Sequence, residues 1–105
     1  MAINEPEITS RELMRGKINS ETARIPWKEL QRYFAGGYTL IVDFELDLVE
    51  VACQFEQDNA QQIEHWLNAD LIRQVSNQQA REWYNNEAIL WACVIRPWVL
   101  IQPAD

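Results

Sequence analysis

Histidine occurs once in this chain, cysteine twice, glycine three times and proline four times, and each scarcity removes a class of protein. The one histidine, His65, and two cysteines forty residues apart, Cys53 and Cys93, cannot supply an ordinary zinc set. Two cysteines inside apolar segments, with no secretory leader, read as reduced core residues rather than a disulfide framework. Seven glycines and prolines together are too few for a collagen-like or low-complexity chain. Gly36-Gly37 lacks the further glycines and the Lys-Ser/Thr of a phosphate-binding loop and reads as a helix stop.

Long apolar runs are also missing. The longest, Ala88 to Ile95, is far too short to span a bilayer. Met1 to Ser10 has neither a basic start nor an apolar stretch of secretory length, so the expected location is the cytoplasm. Basic residues are few: nine against sixteen acids, for a net charge of −7. Duplex binding draws most of its affinity from phosphate neutralisation, so nucleic acid is a poor partner for such a chain, as is an anionic membrane.

What is present is core material. Hydrophobic residues make up 48% of the 105, including five tryptophans, three tyrosines and three phenylalanines. A chain of this length buries roughly 65% of its unfolded surface, enough for one core. Residues 1–8 read as a flexible tail and 9–105 as a single domain.

The patterning predicts an α+β fold: a small mixed or antiparallel sheet packed with four to five helices. A first helix follows Thr9 or Ser10 and runs to Ala23, with Leu13, Ile18 and Thr22 towards its buried side. Pro26 suits the first turn of a second helix, whose Trp27, Leu30 and Phe34 share one face and which stops at Gly36-Gly37. Residues 39–44 read as a strand buried on both faces. From Asp47 to Glu56 the pattern fits a half-buried strand or a helix opened by an Asp47–Glu50 capping box, and the helix fits slightly better. A helix over 58–68 turns Ile63, Trp66 and Leu67 inward, and another over 77–86 turns in Ala80, Trp83 and Tyr84. Residues 71–75 are a short strand or an extended link. Residues 89–102 are strand interrupted at Arg96-Pro97, with 98–102 able to present an edge.

Three features bear on function. Asp43, Glu45, Asp47 and Glu50 place four carboxylates in eight residues, which suits a hard divalent cation, although the spacing is not that of an EF-hand loop. A solvated acidic turn explains the same residues, with Asp47 as a helix cap. His65 has only Gln61, Gln62 and Asn68 as same-face companions, poor partners for a catalytic base or a metal ligand.

Charge is segregated. Residues 11–32 carry six bases and three acids, whereas 43–70 carry eight acids and no Lys or Arg. Such blocks neutralise each other within the fold or leave surfaces for a partner. Tryptophan near arginine is the composition of interface anchors, which singles out Arg24, Lys28, Arg32, Arg96 and Trp98 as candidate partner-binding residues. Trp27 among the first three admits stacking on single-stranded RNA, which the net charge disfavours.

Three segments also resemble one known family: Glu21 to Leu30 with Phe34, Leu46 to Ala52, and Pro97 to Gln102. The resemblance, over roughly residues 13–102, is to a small bacterial family catalogued as domain of unknown function 2288. It implies a stand-alone bacterial cytosolic protein and brings no activity, cofactor or catalytic residue. Without a reaction constellation, the expected function is a non-enzymatic protein-interaction or assembly module, quite naturally a homodimer, with no cofactor. The alternative is a divalent-cation-binding protein or metal-dependent enzyme built on Asp43, Glu45, Asp47 and Glu50.

Overall fold

Leu40, Ile41 and Val42 are apolar in succession because the strand they form is covered on both sides. In the computed structural model, which describes residues 10–104, Leu40 and Val42 belong to one core cluster and Ile41 to another. The elements run α1 (Ser10–Glu21), β1 (Ala23–Pro26), α2 (Trp27–Ala35), β2 (Thr39–Val42), α3 (Leu48–Glu56), α4 (Ala60–Asn68), β3 (Ile72–Gln74), α5 (Asn77–Asn85), β4 (Ile89–Ile95) and β5 (Trp98–Pro103). The fold is α+β, with five helices and one five-stranded mixed sheet among the described residues. None of these helices is long and apolar enough to cross a membrane. The expected tail, residues 1–8, lies outside the described residues, as does the Thr9 cap.

Strand order is β1-β4-β5-β2-β3. Only the β2–β5 pair is parallel. Alternation divides side chains between two faces. On the first, Leu40, Cys93, Ile95 and Leu100 pack under α1, α3 and Trp66 of α4. On the second, Ile41, Leu90, Val99 and Ile101 pack under α2 and α5, where Trp27 meets Trp83 at 5.1 Å and Phe34 at 5.5 Å. Three of the five tryptophans thus sit in the core, as their helical spacing implies.

Several expectations need correcting. The first helix stops at Glu21, and Ala23–Pro26 form an edge strand instead. This segment is short and mostly exposed, so no alternation marks it. Pro26 ends that strand and takes the cap position of α2 rather than its first turn. Residues 98–102 are no edge, because β5 lies between β4 and β2. Leu13 (60% exposed), Leu67 and Tyr84 turn outward rather than in. Residues 48–56 are a helix, opened as expected by Asp47, whose carboxylate accepts from the amide of Val49 at 3.0 Å.

Candidate functional site

The four acidic candidates do not converge. Asp43 stands 3.6 Å from Arg73 and accepts the amide of Glu45, while the Glu45 side chain is exposed. Asp47 and Glu50 turn towards α1, where Arg15 bridges both, reaching Glu50 at 2.8 Å. Arg11 adds a 3.2 Å contact to Glu50. Burial raises the Asp47 carboxyl, but the Arg15 hydrogen bond, the Val49 amide and the nearby guanidinium charge outweigh it and hold its pKa below the usual carboxylate value. Arg15 is pushed up, chiefly by the same Asp47 bond. Among the described residues no three His, Cys, Asp or Glu side chains are placed to hold a metal ion. The cluster closes α1 onto α3.

The other titratable candidates are equally plain. His65 is exposed on α4 beside Gln61 and Gln62. Cys53 and Cys93 are free, buried thiols whose pKa values burial pushes up, which makes them poor nucleophiles.

The structure divides the predicted partner-binding residues into two groups. Lys28 and Arg32 share the outer face of α2 but are engaged locally. Lys28 meets Glu87 at 3.3 Å and lies over the Tyr84 ring, while Arg32 stacks on Tyr33 at 4.8 Å. Trp27 is buried and cannot stack on a base. Arg24 is apart from them on β1, directly opposite Trp91 of β4. At the other end, Arg96 and Pro97, joined by a cis peptide, make the β4–β5 turn, and Trp98 begins β5. Trp98 is half-buried, edge-on to Tyr38 at 6.2 Å, and walls a cleft of about 650 Å³ between the turn and α4.

Sequence reasoning missed Trp91. The helices on the first face cover the middle of the sheet and stop short of its β1 end, leaving Trp91 40% and Ile89 43% exposed. Pro26 is exposed opposite Ile89, and Arg24 opposite Trp91, so four side chains form a continuous strip on one face. A groove of about 520 Å³ leads from Trp91 between the end of α1 and the start of α3, past Asn19, Thr22 and Gln102. No sequence signal distinguishes position 91 from 90 or 92, since all are apolar; the available hint was that five indoles exceed what one small core encloses.

The family described as "Protein of unknown function (DUF2288)" matches residues 13–103. No curated protein matches the chain. The NMR solution structure of PA1075 from Pseudomonas aeruginosa is similar at 38% identity and a TM-score of 0.76, over 99% of this chain and 94% of that one.

Proposed function

This chain belongs to the DUF2288 family, and from that premise we propose that it is a non-enzymatic interaction module that self-associates as a homodimer through the open end of its sheet. One observation carries the reading: Pro26, Ile89 and Trp91, with Arg24 beside them, form an apolar strip at the β1 end of a sheet face, beyond the part that the helices cover. A sheet face normally buries its apolar side chains against another layer. Tryptophan and arginine together are typical of the desolvated centre of an interface. A second copy supplies the same strip, and a two-fold axis lets each Trp91 pack on its counterpart's β1–β4 surface.

Sedimentation equilibrium over a range of protein concentrations tests it. The wild type should rise from 12.4 kDa towards twice that mass. Ile89→Glu, an exposed change that leaves the core intact, should hold the chain at one protomer with unaltered circular dichroism. A wild type that stays monomeric at every concentration overturns the reading.

A further inference from the structure

The cleft beside Trp98 lies at the other end of the sheet from the Trp91 strip: Ile95 pairs with Trp98, whereas Trp91 pairs with Gln102. Its floor and walls are apolar, made by Leu40, Phe55, Ile63, Leu67, Ile95 and Trp98. At about 650 Å³ it falls within the usual range of ligand clefts. Leu67 is 46% exposed at its mouth, an apolar side chain on an otherwise polar outer surface of α4.

Its charges are unspent. Asp58 and Glu64 line the helix side and Arg96 the turn side, and none of the three has an ion-pair partner among the described residues. Glu56 and Asp70, just outside α4 in sequence, are likewise unpaired there. The acidic block 43–70 is therefore neutralised only at its start, where Asp43, Asp47 and Glu50 meet arginines. Of the rest, Asp58 and Glu64 line this apolar opening, on a chain of net charge −7.

We propose that this cleft is a docking site for a basic peptide segment of another protein, anchored by an apolar side chain against Trp98. Its cationic side chains meet Asp58 and Glu64, and Arg96 donates to its backbone carbonyls. Complementary charge both steers such a segment in and rejects acidic competitors. A second copy of this chain is a poor occupant, because four of its nine bases, Arg11, Arg15, Lys28 and Arg73, are already paired with acids and Arg32 is stacked on Tyr33. The site is independent of the dimer strip, and either can fail alone.

The test titrates the ¹⁵N-labelled full chain with a short synthetic peptide of lysine and leucine ending in phenylalanine, and with its glutamate-for-lysine and glutamine-for-lysine counterparts. The basic peptide should give saturable shifts at Ile63, Leu67 and the Trp98 indole N–H, weakened by salt, and the acidic one none. Affinity should fall roughly two- to fivefold in the Asp58→Asn, Glu64→Gln double variant, as two rim charges at up to about 1 kcal/mol together imply. Leu67→Ser, an exposed change that spares the fold, should weaken binding as well. The proposal is overturned if the basic peptide does not bind, if the glutamine or glutamate counterpart binds as tightly, if the double variant binds unchanged, or if the shifts gather at Ile89 and Trp91 instead.

Discussion

Thr39 is 1% exposed and its hydroxyl finds no hydrogen-bond partner among the described residues, a condition it shares with the indole nitrogen of Trp27. A buried hydroxyl stripped of water and left unpaired costs free energy that a methyl group in the same place does not. Thr39→Val should therefore raise the denaturant midpoint, by about 1 kcal/mol in unfolding free energy. A decrease would show that the hydroxyl is satisfied in solution. At the Asp47–Arg15 contact the balance runs the other way. The lowered carboxyl pKa means that the ionised form is favoured by folding. Its stabilisation is present above the ordinary carboxylate range and is lost as pH falls through the lowered value. The side chains are half-exposed, so the effect is small. A carboxyl NMR titration should place Asp47 below the ordinary aspartate value, and Arg15→Gln should move it back up.

At the scale of elements, α2 to α5 all end in one way. The residue after each C-cap has positive φ: Gly37 at 81°, Asp58 at 55°, Asp70 at 60° and Glu87 at 51°. In each case the amide of the following residue reaches back to the carbonyl five positions earlier, as from Tyr38 to Tyr33 and from Ala88 to Trp83. Only the first of these stops is marked by a glycine, which accepts the left-handed backbone freely; the ends of α3, α4 and α5 were expected near 56, 68 and 86 without it. Glu87 holds the same conformation at a cost of roughly 1 kcal/mol. Glu87→Gly should stabilise the protein by about that amount, less a small loss from the exposed Lys28 pair, while Gly37→Ala should destabilise it similarly. Thermal denaturation of the two variants should move in opposite directions. Reversed signs would sink this account of the helix stops.

For the whole molecule, the segregated charge resolves into a hinge of ion pairs and a remainder. Arg11 and Arg15 lock α1 to the start of α3, while Asp58 and Glu64 stay open to solvent at the Trp98 cleft. Self-association through the apolar Trp91 strip should accordingly depend little on salt, whereas peptide binding at the cleft should weaken steeply with it. Sedimentation and peptide titration at low and high ionic strength separate the two; dimer dissociation driven by salt would contradict the apolar strip as the interface.

Composition and period alone determined the α+β class and the burial of Trp27, Trp66 and Trp83; they favoured a helix from Asp47 only slightly over a strand, and marked an interruption at Arg96-Pro97 without saying of what kind. These follow from local rules: a cap three residues before an acid, a proline that cannot donate to a ladder, apolar residues at steps of three and four. Only the tertiary structure decided that Ala23–Pro26 is a strand and that Trp91, rather than Trp98, is the more exposed indole. It also set Asp47 and Glu50 against Arg15 instead of a cation. Each of those outcomes depends on which part of a sheet face the helices happen to cover, and that is a matter of contacts between residues distant in the chain, which no local pattern encodes.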